Sequence, residues 1–98
     1  MRTSGGRRIV KKRTQAYHLQ RRVCFYCKFH LKLRKARADH WFPRCLGGKN
    51  VRFNIVATCD ACNRNKASMS PEEYWHSDYL QKLIATRDKM RLHRRKRP

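Results

Sequence analysis

Two Cys-x-x-Cys pairs, Cys24-Phe25-Tyr26-Cys27 and Cys59-Asp60-Ala61-Cys62, constrain this chain more than any other feature. Each pair has the spacing that lets two thiolates grip one tetrahedral Zn²⁺, and together they supply the four sulfurs of a closed, structural site. Thirty-one residues separate the pairs, more than a compact zinc ribbon holds, so a substantial folded segment is pinned at both ends to one ion. The chain needs such a staple. It has 98 residues, with basic runs at both ends, and the apolar core left over is small. Zinc binding would then be folding free energy. Redox-active cysteines and plain buried thiols are the competing readings. His30, three residues after Cys27, is an alternative ligand, and Cys45 is left over as a free thiol.

The charge narrows the choice of partner. Twenty-six Lys and Arg against six Asp and Glu give a formal net charge of +20 and a pI near 11.0. So positive a domain repels itself unless something neutralises it, and a polyphosphate backbone, DNA with RNA as the alternative, fits best. An anionic membrane surface is the weaker option, because no long apolar run is present. Met1 leads into polar and basic residues with no apolar signal, so we expect an intracellular protein with reduced thiols.

The pattern along the chain is α+β. Residues 1–13 read as a flexible basic tail, 14–92 as one domain and 93–98 as a second basic tail. Phe29, Leu31 and Leu33 alternate with polar residues, which predicts a half-buried strand, with residues 36–42 as its antiparallel partner. A loop with turn chemistry follows at Leu46-Gly47-Gly48-Lys49-Asn50. A helix is expected over about 60–67. Ser70-Pro71-Glu72-Glu73 is a capping box opening a C-terminal helix over about 71–92, whose apolar face runs through Trp75, Tyr79, Leu83 and Met90.

Between the cysteine pairs, Asp39-His40, Pro43, Gly47-Gly48, Asn54 and then Cys59-Asp60-Ala61-Cys62-Asn63 follow one another in that order. This series resembles the HNH endonuclease family in its four-cysteine zinc subtype, including small phage and bacterial members, over roughly residues 24–66. The resemblance implies a zinc-stapled ββα-metal fold with a C-terminal helix, in a bacterial or phage-infected cytoplasm. It implies metal-dependent hydrolysis of DNA phosphodiesters. His40 would be the general base that activates water, and Asp39 and Asn63 the ligands of a catalytic Mg²⁺ or Mn²⁺. Asn54 would orient the base or fix the loop through backbone hydrogen bonds. The last signature position carries Asn rather than His, and an amide oxygen is a hard ligand suited to those ions.

Several residues keep two readings. Asp39 and His40 as an isolated pair would be a structural hydrogen-bonded couple at a strand end. Within this series they read as catalytic, with the surrounding cations holding Asp39 ionised. Successive strand residues point to opposite faces, so a bend near Pro43 is required for both to serve one site. Arg44, Lys49, Arg64 and Lys66 are candidate nucleic-acid contacts or solvated bases. Trp41 and Phe42 read as core aromatics rather than base-stacking platforms. No sequence-reading motif is evident, so either cutting is weakly specific or specificity comes from a protein partner. The alternative function is a zinc-stapled DNA- or RNA-binding module without catalysis.

Overall fold

A two-stranded antiparallel ribbon organises the molecule. The computed structural model describes residues 4–95. Helix α1 spans Ser4–Leu19, strand β1 Arg37–His40, strand β2 Ile55–Thr58, helix α2 Asp60–Lys66, helix α3 Pro71–Trp75 and helix α4 Asp78–Arg95, with three short 3₁₀ turns between them. β1 and β2 pair in the register Arg37↔Thr58, Ala38↔Ala57, Asp39↔Val56 and His40↔Ile55. All four residues of β2 are buried, so it reads as a continuous apolar run instead of alternating.

The partner of β1 differs from the sequence expectation. Phe29 to Arg34 forms no strand; a single bridge joins Val23 to His30, and Leu33–Lys35 is a 3₁₀ turn. The period-two pattern there reflects a segment laid over the core, with Leu31 buried, rather than ladder pairing. β2 takes the place beside β1. Its other edge is closed by a side chain: Ala57 N donates to Gln20 Oε1 at 3.0 Å, and Gln20 Nε2 donates to Ala57 O at 2.8 Å.

Residues 4–13, expected as a flexible tail, are the first part of α1. The helix carries no acidic residue in its first turn, so packing rather than charge pairing holds it. Tyr17 is buried and donates its hydroxyl to Leu31 O at 2.6 Å, and Arg13 Nη1 reaches Ala36 O at 3.4 Å. Tyr17, Leu31, Ala36 and Ala57 form one apolar cluster. The other surrounds the cysteines and contains Tyr26, Val56, Tyr74 and Leu80.

The capping box is present as the sequence indicates: Glu73 N donates to Ser70 Oγ and Ser70 N to Glu73 Oε1, both at 3.2 Å. The single C-terminal helix is two helices. Ser77 breaks it, donating its hydroxyl to Tyr74 O at 2.7 Å and accepting from Leu80 N at 3.3 Å, which caps α4. Of the expected C-terminal tail, residues 93–95 are helical, and residues 96–98 lie outside the described residues, as do residues 1–3 of the N-terminal one.

Candidate active site

The four cysteines converge. Their sulfurs lie within 4.8 Å of one another, and Cys27 Sγ is 3.9 Å from Cys59 Sγ. A tetrahedral Zn²⁺ with bonds of about 2.3 Å sets its sulfurs roughly 3.8 Å apart, so the donor set fits that ion. Cys62 N donates to Cys59 Sγ at 3.4 Å, placing the second knuckle at the start of α2. Hydrogen bonds within the cluster, from Cys27 foremost, lower the Cys24 thiol to about 7. Those from Cys24 lower Cys59 and raise Cys27 and Cys62. Four thiols this close cannot all ionise unaided, and a divalent cation is what allows it. His30 is exposed and not in the cluster. Cys45 is an exposed free thiol.

A residue the sequence reading missed completes this centre. Arg87 of α4 donates from Nη1 to Cys27 Sγ at 2.6 Å, with Cys59 Sγ at 3.7 Å. Its guanidinium also lies 5.0 Å from the Phe29 ring centroid. It sits on a helix 25 residues beyond the last ligand cysteine, where no local spacing signals it.

One end of the ribbon holds the other chemistry. Asp39, His40, Pro43, Arg44, Cys45 and Asn63 line a single cleft of about 340 Å³. Asp39 is buried and His40 half-exposed, in keeping with strand alternation, and the cleft opens where β1 ends, so both reach it. Two glycines make the turn beyond Pro43. Gly47 has φ of +99°, a left-handed conformation suited to glycine. A Cβ on Gly48 would lie 1.8 Å from Phe42 O, so no other residue fits there. Asn54 is buried and clamps this loop: Phe42 N donates to its Oδ1 at 2.7 Å, and its Nδ2 donates to Phe42 O and Lys49 O, both at 3.0 Å.

Asn63 and Lys66 lie three residues apart on one face of α2 and both reach β1. Asn63 Nδ2 is 3.5 Å from Asp39 Oδ1 and from Ala38 O. Lys66 Nζ donates to His40 O at 2.9 Å and pairs with Asp39 Oδ2 at 3.3 Å. The Lys66 side chain is 0% exposed. That departs from the expectation of a phosphate contact: its ammonium is spent inside the protein, against the site's own carboxylate. Tyr26 OH, from within the first cysteine knuckle, donates to Asp39 Oδ2 at 3.2 Å. Burial and then the Asp39 charge push this phenol well up, so it remains a donor. Asp39 also departs from expectation. Burial raises its carboxyl above the ordinary carboxylate range, outweighing the opposite pull of Lys66 and Tyr26.

His40 Nε2 hydrogen-bonds Asn50 Oδ1. An amide oxygen only accepts, so Nε2 is the donor in this contact, and in the neutral ring the lone pair falls on Nδ1. Asn50 was legible only as a turn residue. The remaining candidates separate: Arg44 is exposed on the cleft wall, Lys49 is exposed on the loop, and Arg64 pairs with Asp60 at 3.1 Å while staying exposed. Trp41 and Phe42, expected in the core, are each 41% exposed, because the clamp by Asn54 fixes their backbone at the surface end of the ribbon.

The donor set at the cleft fits a hard divalent ion. Two oxygens sharing an octahedral ion with bonds of about 2.1 Å lie roughly 3 Å apart. The Asp39 carboxylate and the Asn63 amide are at 3.5 Å, and a half turn of the amide presents its oxygen.

Known proteins agree with this architecture. The HNH endonuclease family model matches residues 24–76. The CRISPR-associated endonuclease Cas9 of Actinomyces naeslundii is 36% identical over 64 residues, 64% of this chain and 6% of that protein. The Cas9 of Corynebacterium diphtheriae is 34% identical over 64 residues, with the same coverage. The crystal structure of the Type II-C Cas9 enzyme from Actinomyces naeslundii aligns with a TM-score of 0.59 at 34% identity, over 64% of this chain and 7% of that one. The chain thus spans a small fraction of the length of these relatives. With a family match over more than half its residues and a four-cysteine cluster enclosing the ribbon, the chain belongs to the HNH endonuclease family, in its four-cysteine subtype.

Proposed function

We propose that this chain hydrolyses DNA phosphodiester bonds in a metal-dependent reaction. The observation that carries the reading is the shared cleft: Asp39, His40 and Asn63 come from β1 and α2 and line one space. Asp39 and Asn63 would hold Mg²⁺ or Mn²⁺. When bound, such an ion neutralises charge on the phosphate and on the departing 3′-oxygen.

The protein's own residues do the rest. Asn50 fixes the His40 ring with its proton on Nε2, so Nδ1 is free to take the proton of an attacking water. Lys66 holds the His40 carbonyl and so sets where the ring begins. Asn54 fixes the loop that carries Asn50 and Arg44 through Phe42 and Lys49. Arg44 is placed on the cleft wall to meet a phosphate oxygen. Zinc at the four cysteines would hold the knuckle from which Tyr26 reaches Asp39.

A plasmid-nicking assay with and without Mg²⁺ or Mn²⁺ tests this. Wild type should nick only with the ion. His40→Ala should bind DNA and not cut. Duplex binding should fall with salt along a log–log slope of about −5, as for some six phosphate contacts. A zinc-loaded chain that binds DNA and never cuts, under either ion, is a binding module and not a nuclease.

A further inference from the structure

Half of the large apolar side chains exposed among the described residues fall in one stretch, residues 41–53: Trp41, Phe42, Leu46, Val51 and Phe53. Phe53 is the extreme case at 91% exposed. It does not sit on a loose tip. It occupies a 3₁₀ turn, Arg52–Asn54, whose last residue is the buried asparagine that hydrogen-bonds Phe42 and Lys49. Asn54 N also donates to Val51 O at 2.9 Å. An aromatic ring held out in water on a rigid mount, in a domain with little apolar core to spare, calls for a ligand.

Phe53 forms one wall of a separate cleft of about 360 Å³ between α1 and β2. Its floor is Ala16, Ile55 and Val56, and Lys12 and Arg52 line it as well. The combination is an apolar slot with an aromatic wall and two cations. No acidic residue occurs between Asp39 and Asp60. Apolar protein-binding patches are depleted in charge at their centres, whereas sites for unpaired nucleotides combine aromatic platforms with cations that track the backbone. Distance to the chemistry is short. Ile55 lies opposite His40, and Phe53 is two residues before Ile55 in the chain.

We infer that Phe53 and the slot between α1 and β2 bind an unpaired nucleobase of the substrate, stacked on the Phe53 ring, with Lys12 and Arg52 on the adjoining phosphates. This rests on the nuclease reading and deepens it: the substrate class is DNA carrying an unstacked or single-stranded nucleotide beside the cut. The base needs only a π-face, so the site tolerates any sequence.

The test compares two probes of equal charge: a short oligothymidylate and an oligonucleotide of the same length made of abasic sugar–phosphate units. Both are bound to the full chain carrying His40→Ala, so that nothing is cut. The parent should bind the thymidylate about tenfold more tightly or better, the scale of one base–aromatic stack. Adding Phe53→Ala should erase that preference while leaving the salt slope on both probes unchanged. Adding Phe53→Trp should retain it, and Tyr79→Ala, an exposed aromatic on α4, should have no effect. Equal binding of the two probes by the parent overturns the inference. So does an undiminished preference in Phe53→Ala, which would put the stacked base on another ring. Failure of the nuclease reading looks different: wild type would then not cut any DNA under either ion, whatever the result at Phe53.

Discussion

Lys66→Met isolates the least expected feature of the site. The substitution keeps the length and apolar stem and removes one ammonium. Two contacts go with it: the 2.9 Å donation to His40 O and the 3.3 Å pair with Asp39 Oδ2. The Asp39 side chain is only 7% exposed, so water cannot replace the lost partner, and Tyr26 alone remains on Oδ2. Breaking a buried pair from one side costs about 3–5 kcal/mol. For a domain whose total stability is of order 5–15 kcal/mol, that is a large share. Guanidinium unfolding, followed by the fluorescence of Trp41 and Trp75 with zinc held saturating, measures it. The pH dependence has a definite sign. The folded carboxyl already titrates above its ordinary 3.8, so over that window the folded state binds a proton that the unfolded state has lost. Stability contributed at Asp39 therefore declines as pH rises through the window. Losing Lys66 raises the carboxyl further and widens the window. The deficit of Lys66→Met should thus grow as pH rises from the ordinary carboxylate range toward neutrality. Adding Asp39→Asn, which removes the stranded charge, should recover more than half of it. A Lys66→Met protein within about 1 kcal/mol of wild type, or no recovery in the double variant, refutes the account.

Arg87→Ala strips the cation from the cysteine cluster, and outer-sphere losses of this kind weaken metal binding about 10–100-fold; competition with a chromogenic chelator reads the shift, and an unchanged zinc affinity contradicts the role. Asn54→Ala leaves Phe42 N and O and Lys49 O without partners and should cost about 2–3 kcal/mol, with faster amide exchange confined to residues 41–54. Tyr26→Phe keeps the ring that packs edge-on to Tyr74 and deletes one donor to Asp39, so stability should drop by about 1–2 kcal/mol; isothermal titration should show weaker binding of Mn²⁺. Removing zinc with a strong chelator should unfold the described domain cooperatively, seen as loss of near-ultraviolet circular dichroism, because the ion's binding energy is folding energy.

The sequence showed what chemistry must be local in the chain and hid what is brought together by packing. The cysteine pairs and the capping box at Ser70 and Glu73 are spacing signals, and the fold places them as such signals suggest; the order Asp39-His40, Asn54, Asn63 is a spacing signal too, and Asp39, His40 and Asn63 line one cleft. Strand pairing was not legible. Phe29 to Arg34 alternates like a strand, yet Leu31 is needed beneath Tyr17, and β2 offers β1 four fully buried partners. The helix over residues 4–13 was hidden because its pattern is mostly cationic; it is held by a few contacts of Arg13 and Tyr17 with segments 14 or more residues away. Lys66 misled for a related reason. A lysine beside an arginine on a short helix in a domain of charge +20 looks like another phosphate contact, and only the crossing of α2 over β1 reveals that it faces inward. Tyr26, Asn50 and Arg87 act across 13, 10 and 60 residues of sequence, and no pairwise pattern in a single chain announces such reach.

Gln20 closes the outer side of β2 with one amide group that both gives to and takes from Ala57. A ribbon of two strands would otherwise expose a template on which copies of the chain could stack. Here the latch is that side chain, just past the end of α1, together with Phe25 N, which also donates to Ala57 O at 3.0 Å. Loosening of α1 together with the first cysteine knuckle is therefore the event that would open this edge to strand-mediated self-association.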